Sequence, residues 1–469
     1  PMWAVKVILP RVRHTQYYTG LKCLSNLVSG FDTSEGMVVT EENEGASARD
    51  YGFLMFLTLL NVMNFVDRQL LASFANWIVP DLGLTNTQFG WLTGMIFIVF
   101  YSVAGLAMGV LADRVNRTRL IAVGLALWSA LTAISGMAKG FVSLAIPRLF
   151  IGVGESIMTP TSMSLLADRF PSSRLGFASG VYYMGVPIGV ATSLFVVAYL
   201  EPILGWRGCF YALGGIGLLL AVVMFFMKET PRRHEVEATS PVEKLSVKEI
   251  LHTLKSALIR SPALAMTVAG GVAFHFILGA AVFEQLWFVQ ERGFDRSEIA
   301  ELSGWLAFSG GILGNLFGGI GGDMFLRKTG MGRPMFLFWI MLVLTPIGLA
   351  YRVADPASIF FMVGIFAGYF QLGCFYGPTF STVQELVPPQ IRGTVVAFYI
   401  LSLNFVGLGL GVTGGGYFID WMIAQGHPEP YTITLIVFTA ISMLAIPMFY
   451  MAGKRFERDR QALYDSVAN

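Results

Sequence analysis

The stretch "PTSMSLLADRFPSSR" (Pro160–Arg174) returns as "PTFSTVQELVPPQIR" (Pro378–Arg392), with both prolines and the arginine displaced by 218 residues. Two further landmarks repeat in the same order. "FGWLTGMIF" (Phe89–Phe97) returns as "SGWLAFSGG" (Ser303–Gly311), with Trp91 matched to Trp305 at 214 residues. "GVLADRVNRTR" (Gly109–Arg119) returns as "GIGGDMFLRKT" (Gly319–Thr329), with Asp113 matched to Asp323 at 210. Three landmarks at nearly one spacing mark a duplicated unit whose two copies run in parallel orientation.

What is duplicated follows from composition. Of the 469 residues, 55% are hydrophobic and 13% charged, against about 25% charged in a soluble domain. Twelve apolar blocks fall between residues 51 and 453, each near the ~20 residues a helix needs to cross a bilayer. A membrane β-barrel would instead show alternating segments of about ten residues. The expectation is an all-α membrane protein with twelve transmembrane helices in two pseudo-symmetric six-helix halves, 51–227 and 262–453. A tail (1–50), a linker (228–261) and a second tail (454–469) complete the chain. Residues 1–36 lack helical periodicity and precede Met37; they read as a disordered or partly non-native tail rather than a signal peptide.

The net charge of +2 is too small to suggest nucleic-acid binding, but its distribution is uneven. With the N-terminus placed inside, the tails and inner loops hold 25 Lys and Arg, and the opposite loops hold five: Lys139, Arg207, Arg292, Arg296 and Arg352. The positive-inside rule then puts both termini in the cytoplasm. Cys23, Cys209 and Cys374 are scattered and read as small hydrophobes. In the linker, Ser246 and Glu249 form a capping-box pattern. Val247, Ile250, Leu251, Leu254 and Leu258 follow it at helical spacing, as in an amphipathic helix on the cytoplasmic face.

"GVLADRVNRTR" between the second and third blocks, together with the repeated halves and "ETPRR" after the sixth, resembles the major facilitator superfamily. The superfamily's signature loop has a second glycine where this chain has Asn116, a residue that also tolerates a left-handed backbone. Within the superfamily, "NFVDRQLLA" (Asn64–Ala72), "RLFIGVGESIMTP" (Arg148–Pro160) and "LADRFPSSRLGFASGVYYMGVPIG" (Leu166–Gly189) are similar to the spinster family of lipid transporters. Short tails, and a single Asn-x-Ser/Thr sequon at Asn116 in an inner loop, are like a bacterial member, which implies a multi-pass protein of the bacterial inner membrane. The resemblance implies movement of lysolipid-like amphiphiles of the sphingosine 1-phosphate or lysophospholipid type, with proton coupling in some members.

Arg148 and Glu155 are seven residues apart and share one face of the fourth span. A charge at mid-membrane costs ~3 kcal/mol on insertion scales. At 1.5 Å per residue, Arg148 lies ~10 Å and Glu155 ~20 Å from the outer edge. Asp67 and Arg68 sit deep in the first span at the depth of Arg148, so Asp67 and Arg148 could pair. An ion pair that only fastens two spans is one reading. Against it, the 218-residue repeat matches Arg148 to Phe366 and Glu155 to Gly373, so the sister helix forms without either charge. Arg148, permanently charged, suits an anionic head group, with Arg68 and Glu284 as companions. Glu155 and Asp67 suit proton coupling, because burial and a neighbouring arginine shift a carboxylate in opposite directions.

Asp113 with Arg114, Arg117 and Arg119 is expected to form a conformational gate at the inner face, as the superfamily resemblance implies, and Asp323 with Arg327 a weaker second copy. His275, Gln371 and Asn404 are candidates for the cavity wall. No cofactor or metal is expected. "GLGLGVTGGGYF" (Gly407–Phe418) lacks the Lys-Ser/Thr of a nucleotide loop, so energy must come from a proton or substrate gradient. The chain is expected to act as a monomer on a lipid or amphiphilic substrate and protons. A transporter of a small organic anion or sugar would share every superfamily motif. A membrane protease would need paired His or Ser–His chemistry, which His14, His234, His252, His275 and His427 do not supply. A lipid sensor would bind without flux.

Overall fold

The computed structural model describes residues 47–112, 114–232, 247–388 and 391–468, and the regular structure among them is helical. The first helix, α1 (Ala48–Ser73), starts at a reciprocal cap. The Asp50 amide donates to Ser47 Oγ at 3.4 Å and the Ser47 amide to the Asp50 carboxylate at 2.9 Å, which satisfies two of the orphan donors of a helix start. Two short helices, α2 (Ala75–Asp81) and α3 (Asn86–Thr93), lead into α4 (Met95–Ala112). Thr85 and Gln88 cap α3 by the same device.

Next come α5 (Arg117–Ser135), α6 (Phe141–Glu155), α7 (Met158–Arg169), α8 (Ser172–Tyr183), α9 (Gly185–Phe195) and α10 (Glu201–Phe226). Asn116 is not left-handed as expected. Its φ of −65° and ψ of 115° are extended, and its side chain accepts the Arg119 amide at 2.8 Å. The position is an N-cap, where Asn is among the best residues. A π-helical turn (Val196–Leu200) carries α9 into the first residues of α10, and Gly205, at φ 64° and ψ 165°, is not helical, so the helix breaks there and the fifth and sixth blocks form separate helices.

The second set begins with α11 (Val247–Arg260) and α12 (Pro262–Ala280), followed by α13 (Glu284–Gln290), α14 (Arg296–Thr329), α15 (Arg333–Ala350) and α16 (Ile359–Glu385). After it lie α17 (Arg392–Leu401), a π-helical segment (Ser402–Gly409), α18 (Leu410–Ala424), α19 (Pro430–Ser442) and α20 (Ala445–Ala468). Ser246 of the expected capping box lies outside the described residues. The apolar face of α11 is turned onto the second set: Leu254 is buried in its core, and Ala257 and Leu258 pack against it. Among the described residues nine helical segments are long and apolar enough to cross a membrane. One of them, Arg174–Phe226, has 53 residues, more than twice the ~20 a crossing needs. Helices α1 and α14 are long too, with 26 and 34 residues, but less apolar.

Side-chain packing separates the two sets at one end and fuses them at the other. The buried residues of one core come from the first set alone, among them Leu57, Trp128 and Leu165. Another draws on the second set alone, with Leu264, Met341 and Phe449. A third mixes Phe74, Phe89 and Trp206 with Phe283, Trp287 and Tyr431. The polar contacts between the sets gather at this fused end. Asp420 on α18 accepts from the Asn86 amide (3.1 Å), Asn86 Nδ2 (2.9 Å), the Thr87 amide (2.7 Å) and Thr87 Oγ1 (2.6 Å). Asn76 donates to Gln285 O at 2.7 Å and Tyr431 to Asn86 Oδ1 at 2.9 Å. Two glycines permit this seam. A Cβ on Gly416 would overlap Asn86 O, and one on Gly90 would stand 2.9 Å from Val412 O. Close backbone approach of this kind is how helices pack where lipid, not water, surrounds them.

Candidate functional site

The site grows from α1, α4, α5 and α6 of the first set. Gly152 on α6 faces Phe97 O, which a Cβ would crowd at 2.9 Å, so α4 lies tight against α6. That contact lays the aromatic rings of α4 over the arginines. The Arg148 guanidinium sits 4.5 Å from the Phe97 ring centre, and the Arg68 guanidinium 4.5 Å from Tyr101 and 5.1 Å from Phe97. Such cation–π contacts offset part of the cost of taking a guanidinium out of water.

The depth argument would pair Asp67 with Arg148, and the structure pairs neither with the other. Arg148 is 5% exposed and donates through Nη2 to the Arg68 carbonyl at 2.9 Å, while its Nε is buried without a partner. Asp67 lies against Thr132 of α5, whose Oγ1 is 2.7 and 2.6 Å from the two carboxylate oxygens. Glu155 pairs instead with Arg68, Nε to Oε2 at 3.2 Å. Its other oxygen is buried without a partner, as is Asn64 Nδ2. Beside Asp67, a cavity with room for about one water is lined by Met63, Trp128, Ser129 and Thr132. Of the two arginines, Arg68 reaches the open space, with its side chain 24% exposed where Glu155 is fully covered.

On the second set, His275 is 3% exposed, with Nδ1 2.8 Å from Gly271 O and Nε2 3.4 Å from the Tyr376 hydroxyl. Gln371 is buried and donates to Thr345 at 3.0 Å, so its amide is used inside the bundle. Asn404 is half-buried within the π-helical segment. Glu284 is held by Arg352, Nη2 to Oε1 at 2.5 Å, with Tyr351 at 3.5 Å. Arg352 itself is 4% exposed. It looks like a loop residue in sequence because it ends an apolar block, yet it caps a buried ion pair.

Asp113 lies outside the described residues. Arg114 and Arg119 are exposed. Arg117 is 1% exposed and fully engaged within the first set, by Glu229 at 3.0 Å, Ser164 at 2.9 Å, the Thr230 carbonyl at 2.8 Å and Asp168. Asp323 pairs with Arg333 at 2.7 Å, and Arg333 reaches Glu385 at 2.6 Å. Arg327 donates to the Asp323 carbonyl at 3.4 Å rather than to its carboxylate. These clusters tie neighbouring helices of one set together. Thr132, Tyr101, Tyr376 and Arg352 escape a reading of sequence alone, because a lone Thr, Tyr or Arg in or near a span carries no spacing signal.

The profile of the Major Facilitator Superfamily matches residues 57–412. The chain belongs to the major facilitator superfamily. It is a transporter by that membership, and an all-helical member in structure. Among its superfamily relatives, an MFS-type efflux pump of Mycolicibacterium smegmatis is 26% identical over 86% of this chain and 92% of the relative. A hexuronate transporter of Bacillus subtilis is 28% identical over 78% of this chain and 87% of the relative. A probable sphingolipid transporter, spinster homolog 2 of Arabidopsis thaliana, is 25% identical over 87% of this chain and 89% of the relative. A bacterial homologue of the human lysosomal transporter Spinster, solved inward-facing and unoccupied, superposes with a TM-score of 0.75 at 22% identity. It covers 89% of this chain and 99% of its own. Asp67, Arg148 and Glu155, all buried, and the part-exposed Arg68 form a charge cluster confined to one bundle.

Proposed function

We propose that this transporter moves a lysolipid-like amphiphile with an anionic head group by alternating access, coupled to protons. The observation that carries the reading is the Arg68–Glu155 pair at 3.2 Å, with Asp67 held nearby by Thr132. Two acids and two guanidinium groups sit within one helical bundle, and the repeat shows no equivalent of Arg148 or Glu155 in the other. Buried charges of this kind are expensive unless they serve a pathway. Arg68 is the group that meets the anion. Arg148, covered by Phe97 and bonded to the Arg68 carbonyl, positions it. An anion arriving at Arg68 competes with Glu155 for the guanidinium, and the released carboxylate takes a proton. Binding of the anion and protonation of Glu155 thereby go together.

The basic loops favour twelve spans with both termini in the cytoplasm of a bacterial cell. In that orientation the fused end, with Asp420 on Asn86 and Thr87, is the outer one, and the molecule is open inward. Two resemblances point to lipid: the spinster homolog of Arabidopsis, and the "NFVDR" and "GVGES" stretches. The hexuronate relative supports a second reading, a small hydroxylated carboxylate as cargo. Proteoliposome uptake of a labelled lysophospholipid and of glucuronate, under imposed pH gradients, separates the two. The proton assignment fails if Glu155→Gln and Asp67→Asn both retain wild-type gradient-driven uptake.

A further inference from the structure

The wall that faces Arg68 from the second bundle carries a polar pair with no role in the scheme above. His275 on α12 has Nδ1 2.8 Å from Gly271 O. A carbonyl only accepts, so Nδ1 carries the N–H, and in the neutral ring Nε2 is the acceptor. The Tyr376 hydroxyl, 3.4 Å from Nε2, therefore donates to it. Its oxygen keeps lone pairs for a third group. The ring is steered by Phe375, edge-on at 5.2 Å, and Phe380, stacked at 6.3 Å.

Tyr376 is 38% exposed although Cys374 and Phe375, its helix neighbours, are completely buried. It also lies within electrostatic reach of Arg68 in the opposite bundle, and the π-helical segment connects the two walls, with Gly407 against His275 and Gly409 against Met95 of α4, the helix whose Phe97 and Tyr101 cover Arg68. A side chain that meets both conditions looks into the space between the bundles. The two walls are then chemically unlike. The first offers a guanidinium, a donor, and the second offers a hydroxyl oxygen whose own proton is already committed.

We infer that Tyr376, oriented by His275, is the subsite that accepts a hydrogen bond from a hydroxyl or ammonium group of the cargo while the cargo's anionic group lies at Arg68. The inference rests on the head-group reading of Arg68 given above. It narrows the cargo to molecules that carry a hydrogen-bond donor close to the anion, and it makes a bare alkyl anion a poor substrate. Because the contact bridges the bundles, only a cargo with both groups draws the walls together.

The test is a fluorescence titration of the purified full chain in nanodiscs with two probes. One is a lysophosphatidic acid, which has a free hydroxyl beside its phosphate. The other is an alkyl phosphate of equal chain length, which has none. Wild type is expected to prefer the first by about tenfold, the effect of one satisfied hydrogen bond. Tyr376→Phe keeps the ring and is expected to bind both probes equally. His275→Leu is expected to reduce the preference to about threefold while leaving the thermal midpoint of Tyr376→Phe and wild type as folding references. A tenfold preference that survives in Tyr376→Phe, or no preference in wild type, overturns the inference and leaves the head-group reading standing. If Arg68→Ala binds the alkyl phosphate as wild type does, or wild type binds neither probe, the head-group reading fails and takes this inference with it.

Discussion

Thr132 stands between Asp67 and the Trp128 carbonyl, with its Oγ1 2.6 Å from the nearer carboxylate oxygen and 3.0 Å from Trp128 O. A hydroxyl has one proton and cannot serve both acceptors. With Asp67 ionised, Thr132 donates to the carboxylate. With Asp67 protonated, the carboxyl donates to Thr132 and the hydroxyl proton turns to Trp128 O. Thr132→Val keeps the shape and removes this choice. Uptake driven by an imposed pH gradient is expected to fall about tenfold, or ~1.4 kcal/mol of barrier, while Thr132→Ser retains it. Equal gradient-driven uptake in all three proteins would separate Thr132 from coupling.

In the Arg68–Glu155 pair the glutamate is fully covered while the arginine is part-exposed, and removing the arginine strands a buried charge at a cost of up to about 3–5 kcal/mol. Arg68→Met and Glu155→Leu are each expected to lower the thermal midpoint strongly in detergent. The double variant recovers part of the loss, with a coupling of about 1–3 kcal/mol. Strict additivity in this cycle would mean that the two groups do not sense each other.

Arg352 and Glu284 behave as a fastening, with the arginine side chain 4% and the glutamate 18% exposed. Arg352→Leu is expected to destabilise by about 3–5 kcal/mol, read as a lower thermal midpoint. Glu284→Gln is expected to change stability more than the KM for cargo. A raised KM at unchanged stability would return Glu284 to the head-group site.

Asp420 caps the start of α3 from the opposite bundle, using both oxygens. A charged cap contributes about 1–2 kcal/mol, so Asp420→Ala is expected to shift the balance between closed and open forms at this end about 5- to 30-fold. Spin labels at Lys139 and Gln425, both exposed, report it as a longer distance population. An unchanged distribution would show that the apolar contacts alone hold the seam.

The fold is legible in sequence where its signals are periodic or duplicated. The Pro160–Arg174 repeat locates the ends of α7 and α16, and the seven-residue interval puts Arg148 and Glu155 on one face, both buried in α6. Partner choice is not legible. An arginine side chain is long enough to pass over a neighbour, so Arg68 takes Glu155 while Arg148 settles on a backbone carbonyl. Asn116 illustrates a second limit, because one residue type serves both left-handed turns and N-caps, and only its surroundings decide. Asp420 shows a third. An acid near the end of a span looks like an ordinary boundary residue until the helix opposite it is known.

The π-helical segment Ser402–Gly409 sits directly before α18, and α18 carries Asp420. A π-bulge holds one residue more than the α-helical turn it replaces. Absorbing that residue would rotate all of α18 by about 100° and slide it by ~1.5 Å. The Asp420 carboxylate would swing off Asn86 and Thr87, and Gly416 would no longer face the backbone it now touches. Rewinding a single residue of backbone hydrogen bonds in this segment would thus unlock a contact two to three turns away.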